Sequence, residues 1–338
     1  MINKIIFFSP LTELIICIHV LGWGLLVSNF FYIKEDIKKN LSEIAIFGFC
    51  LTLPITQLAN FFFPISELYF YISFLVSITI LYNFKYLIKE NFIQWLIKLS
   101  LIFIILIPIK YVIKGNEDLY YHLPKVELIN EFKIIFGIAH FDYSLSFTNG
   151  WAHVSSAFNF FNGASKNLYL TSFVFFVLTI ITFFNYLKRT NLNNIKIFLL
   201  IIISFLLVKF YRIQEFGNDY HAIILLLFSQ FLIFQYYLNY KNNILLVNKI
   251  IFFSFFAIMF RIYSLFIIPT LFILFLNKEK IFKLINKKLI ILTFVTFSLT
   301  ILTSFINSGC IFMPIKQTCL NKEIISWSYI NKIDNLNM

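Results

Sequence analysis

The chain has 338 residues, of which 60% are hydrophobic, 20% aromatic and only 13% charged, which excludes an ordinary soluble domain and makes the bilayer its solvent. The formal charge of +12 comes without a basic helix, a zinc-finger spacing or an RNA-binding signature, so nucleic acid is excluded as partner. Membrane topology is left to account for the lysines.

Apolar runs of bilayer length fall at about 11–33, 44–64, 68–84, 93–113, 167–187, 197–211 and 221–240. The first is too long for a cleavable signal and lacks a small-residue cleavage site, so it is expected to stay as a span. Residues 247–276 are apolar for longer than one span needs, with Arg261 near the middle and Pro269 beyond it. A single helix would leave Arg261 in the membrane core, whereas two short helices meeting at Arg261-Ile262-Tyr263-Ser264 lift it to a surface. The positive-inside rule favours the hairpin: the connections 34–43, 85–92, 188–196, 241–249 and 277–288 together hold 15 Lys and Arg and are assigned to the cytoplasm. A last run at 289–306 leads out. Cys17 and Cys50 lie inside apolar runs and read as small hydrophobes.

The expected fold is therefore all-α, a polytopic transmembrane helix bundle of about ten spans. Residues 1–338 form one integral membrane domain, with a subdomain of short amphipathic helices at 114–166 and a tail at 307–338. The amino terminus, this subdomain, the 212–220 turn, Arg261 and the tail all share the outer face, and membrane lipids surround the rest.

The 114–166 segment holds three of the five histidines, His122, His140 and His153, and the acids Glu117, Asp118, Glu127, Glu131 and Asp142. Glu117-Asp118 with His122 is the strongest constellation. On a helix beginning near Asp118, His122 shares its face, so a carboxylate and an imidazole address one substrate or metal; the alternative is that Asp118 only caps the helix and His122 only lies at the interface. Asp219 and His221, in Gly217-Asn218-Asp219-Tyr220-His221, form a second acid and imidazole pair, or a plain polar turn. Arg261 has the planar fork that suits a phosphate, or else it snorkels to headgroups. Cys310 and Cys319 on the outer side would close a small loop by a disulfide, and would stay reduced if the topology were inverted.

These residues resemble the GT-C superfamily of membrane glycosyltransferases, which use polyprenyl-phosphate-linked sugars. The likeness lies in Glu117-Asp118-Leu119-Tyr120-Tyr121-His122, in Gly217-Asn218-Asp219-Tyr220-His221, and in Phe260-Arg261-Ile262-Tyr263-Ser264 before Pro269. The run from Tyr121-His122-Leu123-Pro124 to Phe147-Thr148-Asn149-Gly150-Trp151, with the tail from Ser308-Gly309-Cys310 to Trp327-Ser328, is similar to uncharacterised bacterial envelope membrane proteins related to that superfamily. The resemblance implies a catalytic base at Asp118 or Glu117, an acceptor-binding or metal-binding acid at Asp219, and a lipid-phosphate contact at Arg261; the acid and imidazole pairings add His122 and His221 as substrate-binding candidates. It implies a lipid-linked sugar donor, a bacterial inner membrane and a periplasmic active face. No cofactor is fixed: His122, His221 and the acids could bind Mn²⁺, Mg²⁺, Zn²⁺ or none. Four spans precede the acidic loop where the superfamily usually has one, which keeps a transporter or flippase of envelope sugars, and a non-catalytic envelope scaffold, as alternatives.

Overall fold

A computed structural model describes residues 9–30, 40–108, 122–147, 149–158, 160, 164–210, 218–239, 244–269, 271, 286–313, 315–320, 325, 327 and 328. In chain order the helices are α1 (Ser9–Phe30), α2 (Leu41–Phe62), α3 (Glu67–Asn83), α4 (Lys85–Ile105), α5 (His122–Glu131), α6 (Gly150–Ser156), α7 (Ala164–Arg189), α8 (Asn193–Val208), α9 (Asn218–Asn239), α10 (Ile244–Phe260) and α11 (Lys287–Ser308). Among the described residues the chain is all-helical, and its only β-type pairings are two isolated bridges. Five helices, α1, α2, α7, α9 and α11, are long and apolar enough to cross a membrane, and six spans result if the bent pair α3 and α4 counts as one. The protein is a membrane helix bundle.

Hydrocarbon offers no hydrophobic drive between helices, so close backbone packing has to hold them together. The most extensive contact in the bundle, α1 against α2, has that form. A Cβ on Gly48 would lie 1.7 Å from the Val20 carbonyl oxygen, and one on Gly24 would lie 1.8 Å from that of Ile44. Around this pair the aromatic side chains of α7, α9 and α10 fill the core: Phe183 stacks on Phe228 with centroids 4.3 Å apart, and Phe228 stacks on Phe253 at 4.9 Å.

The two ends of the bundle differ. At one end, α2 and α11 begin while α7 ends, and buried and half-buried polar groups from three helices meet there. Lys249 Nζ lies 2.9 Å from Glu43 Oε1, Tyr186 donates to the same oxygen at 2.9 Å, and Asn185 donates to Asn40 Oδ1 at 3.1 Å. At the other end α2 finishes under α5: Asn60 donates to the Phe132 carbonyl at 3.1 Å, and Ile65 N to that of Ile129 at 2.9 Å. From Glu43 to Asn60 the rise of α2 is about 26 Å at ~1.5 Å per residue, close to the thickness of a bilayer core.

Two features depart from the sequence reading. Residues 85–92, expected as a connection, are the first turns of α4, bent by 109° from α3 at Phe84. The segment has no Gly or Pro to stop a helix, and its Lys, Leu and Glu residues propagate one. The hairpin at 247–276 is described only in its first half: α10 ends at Phe260, Arg261 is extended (φ −151°, ψ 124°), and a 3₁₀ turn covers Ile262–Ile267. Residues 272–285 lie outside the described residues.

Candidate functional site

The end of the bundle under α5 and α6 gathers the polar side chains that the sequence singled out, together with others that it did not. Asp219 stands in the first turn of α9 and Arg261 just past the end of α10. Their pairing follows from the antiparallel packing of these helices, which brings the start of one beside the end of the other. Arg261 Nε donates to Asp219 Oδ1 at 2.6 Å. The guanidinium side chain is 13% exposed and the carboxylate side chain 42% exposed, so the pair sits at the edge of the packed interior.

A second element reaches Arg261 from the other side. Asn149 forms an isolated antiparallel bridge with Arg261, and its side chain caps α6 by accepting from Ala152 N at 3.3 Å. Asn is a preferred helix cap because its carbonyl satisfies a donor that the first turn leaves open. The next residue has to be small: a Cβ on Gly150 would lie 2.5 Å from the carbonyl oxygen of Met259, two residues before Arg261. Gly150 thus lets the cap of α6 and the end of α10 touch.

Helix α5 brings His122 and Lys125 on one face, three residues apart, and both are buried. Lys125 donates to the Phe147 carbonyl. Burial, followed by repulsion from Arg261, pulls the Lys125 ammonium down from its ordinary 10.5 to about 7. Burial, then Arg261 and Lys125, brings the His122 imidazolium down to about 3. His153 on α6 is also lowered to about 3, by burial and then by Lys125, against a hydrogen bond at Asn149 that raises it. Both rings are neutral at physiological pH. A cavity of about 30 Å³, with Lys125, His153, Asn60 and Asn307 in its wall, adjoins the site and has room for one or two waters.

His221 follows Asp219 by two residues, and helical geometry turns it to a different face. It is buried, stacked on the Trp151 indole with ring centroids 3.5 Å apart and planes at 12°. Asp219 and His221 therefore do not act side by side: the acid meets Arg261 and the imidazole packs beneath α6. Glu117 and Asp118 lie outside the described residues. Among the described residues no group of three His, Cys, Asp or Glu side chains could hold a metal ion. In the tail, Cys310 and Cys319 are joined, with Cα atoms 3.8 Å apart, and the loop they close is tied to α11 by Ser304, which donates to the Cys310 carbonyl at 3.1 Å.

A family model described as "Domain of unknown function (DUF8201)" matches residues 6–333. The chain belongs to that family. No curated protein and no solved structure matches it. The match spans both ends of this DUF8201 bundle, so the Arg261 cluster and the Glu43 cluster fall inside one family domain.

The sequence reading missed Lys125, Asn149 and Gly150 as contributors. Lys125 carried a usable signal, since a residue three after His122 shares its helix face. Asn149-Gly150 carried a weaker one, the cap signature of a short helix. Trp151 had no local signal, because its partner His221 is 70 residues away.

Proposed function

We propose that the protein is a membrane glycosyltransferase of the GT-C kind, moving a sugar from a polyprenyl-phosphate-linked donor during assembly of cell-envelope glycans. On this reading the bundle has about ten spans in a bacterial inner membrane, and the site faces the periplasm. The observation that carries the proposal is the meeting of Arg261, Asp219, Asn149, His122 and Lys125, drawn from four separate stretches of chain, at one end of an apolar bundle.

Transfer breaks the bond between the sugar's anomeric carbon and the phosphate oxygen and forms one to the acceptor oxygen. The phosphate leaves with the bonding electrons, and the acceptor loses a proton. A cation held ready for the leaving phosphate lowers that barrier, and a carboxylate takes the proton. Arg261 meets the first need: among the described residues only its Nε is engaged, so the terminal amino groups of the fork remain for phosphate oxygens. Asp118 is assigned as the base, with Glu117 beside it. Four residues of chain keep the Cα of Asp118 within about 14 Å of that of His122. Neutral His122 adds a hydrogen-bonding group without a second full charge next to Arg261.

The test is transfer by purified protein from labelled polyprenyl-phosphate sugars to an extracted envelope acceptor. Asp118→Asn is expected to lower the rate by roughly 10²–10⁴ while the protein stays folded and inserted. Arg261→Ala is expected chiefly to weaken donor binding. A folded protein that makes no product from any lipid-linked sugar overturns the proposal. The buried His19, near the middle of α1, favours a second reading, translocation of a lipid-linked sugar, because transporters keep polar groups at such depth. That reading gives substrate movement without glycosidic product.

A further inference from the structure

A large cavity lies at the opposite end from the Arg261 cluster. It opens between α4 and α7, beside the start of α2, with a volume of about 720 Å³, within the range of small-molecule sites. Among the described residues, Lys98, Lys188 and Arg189 line it and no carboxylate does. Lys188 and Arg189 close the last turn of α7, where cations also complement a helix terminus. Lys98 has no such role. It stands in the interior of α4 with Ile97 and Leu101 each 54% exposed beside it, on a face that meets lipid. A cation there is costly unless an anion or the headgroup layer receives it. The deeper wall is apolar, with Leu101, Ile102 and Phe184. The α4 wall is fixed to α2 by Trp95, whose indole donates to Ser42 Oγ at 2.9 Å.

We infer that this cavity binds an anionic phospholipid of the adjacent leaflet, its phosphate among Lys98, Lys188 and Arg189 and an acyl chain along Leu101, Ile102 and Phe184. Basic pockets between membrane helices recognise anionic headgroups in this way. Free phosphate would answer the three cations but leave the apolar wall uncovered, and a zwitterionic lipid would cover the wall but bring its own cation. The site is separate from the proposed transfer chemistry and stands or falls without it.

The experiment uses the full chain in a neutral detergent and measures retention of phosphatidylglycerol, phosphatidylcholine and inorganic phosphate by native mass spectrometry. One phosphatidylglycerol is expected to stay bound in preference to phosphatidylcholine. The double variant Lys98→Gln/Lys188→Gln, at exposed positions, is expected to weaken that binding by at least about tenfold, since a cation near an anionic headgroup contributes on the order of 1 kcal/mol. The control Lys287→Gln/Lys288→Gln removes the same charge from exposed positions at the same end but outside the cavity, and is expected to change retention less than about threefold. Unchanged thermal unfolding of both variants shows that they remain folded. Equal weakening in the two doubles would reduce the site to general surface charge and overturn the inference. So would equal retention of phosphatidylcholine, or full displacement of the lipid by inorganic phosphate in the unaltered chain.

Discussion

Each end of the bundle contains an acid paired with a base, and the two pairs are built differently. Glu43 and Lys249 are 6% and 8% exposed, and Tyr186 also donates to the Glu43 oxygen that Lys249 meets. Asn40 approaches the other oxygen at 3.4 Å. Arg261 and Asp219 share one described bond, and the carboxylate is 42% exposed. The first pair is closed on all sides and can only hold helices together. The second keeps donors and solvent access, which is what a group that receives a ligand needs. Burial thus separates an ion pair that fastens the bundle from one that is available for chemistry.

The largest expected effect lies at the closed pair. Removing one partner leaves a charge buried without compensation, which typically costs about 3–5 kcal/mol, whereas replacing both by apolar groups is often near neutral. Glu43→Gln should therefore lower the thermal unfolding midpoint in detergent steeply, and Glu43→Leu/Lys249→Met should recover most of the loss. If the single variant unfolds like the unaltered chain, the closed pair contributes no more than a surface one and the contrast fails.

Next comes Gly150. A Cβ there would drive into the Met259 carbonyl oxygen, and overpacking of this kind costs about 1–3 kcal/mol. The strain falls on the contact between the α6 cap and Arg261, so Gly150→Ala should impair the site more than the bundle. Donor binding should change while the helical content by circular dichroism does not. An unaltered site in Gly150→Ala would mean that the Asn149 bridge does not position Arg261.

Much of this arrangement was legible in the sequence, and the illegible part has physical causes. Most of the apolar runs became helices within a few residues of their expected limits, because twenty apolar residues in a row have no stable alternative in lipid; α4, which starts at Lys85 and not at 93, is the exception. The count of spans was harder to read. Helices α8 and α10 have 16 and 17 residues, short of a full crossing, and the continuous helix propensity after Phe84 hid the bend. Asp219 and Arg261 were both singled out, but the bond between residues 42 apart is set by how α9 packs on α10, which no local spacing records. Lys125 could have been found from its place one turn after His122. That His221 turns inward could have been read from its offset of two from Asp219, had the helix start at Asn218 been known.

A graded effect is expected with pH. Lys125 has a folded pKa of about 7, below its ordinary 10.5, so between these values the unfolded chain binds the extra proton and stability rises with pH. The slope is about 1.4 kcal/mol per pH unit for one proton. His122 and His153, lowered from 6.5 to about 3, add a second rise between pH 3 and 6.5. Lys125→Met should remove the upper rise and leave the lower one. A midpoint that is flat from pH 7 to 10 in the unaltered chain would mean that Lys125 titrates like an exposed lysine.

The smallest stability effect is assigned to the open pair, and it is the sharpest test of the contrast. Exposed or half-exposed ion pairs contribute about 0–1 kcal/mol, because water screens the charges and competes for the same groups. Asp219→Asn keeps the shape of the side chain and an oxygen that can still accept from Arg261 Nε, so the unfolding midpoint should move little. What should change is the guanidinium, which loses its resident anion and becomes a stronger trap for another. Inorganic phosphate or a polyprenyl phosphate should then bind the variant more tightly than the unaltered chain and should protect it more against heat, as a ligand selective for the folded state does. Arg261→Gln in the same background should abolish that gain. If Asp219→Asn instead destabilises the protein as much as Glu43→Gln, the pair at this end is a structural clasp like its counterpart, and Arg261 is not free to meet a phosphate.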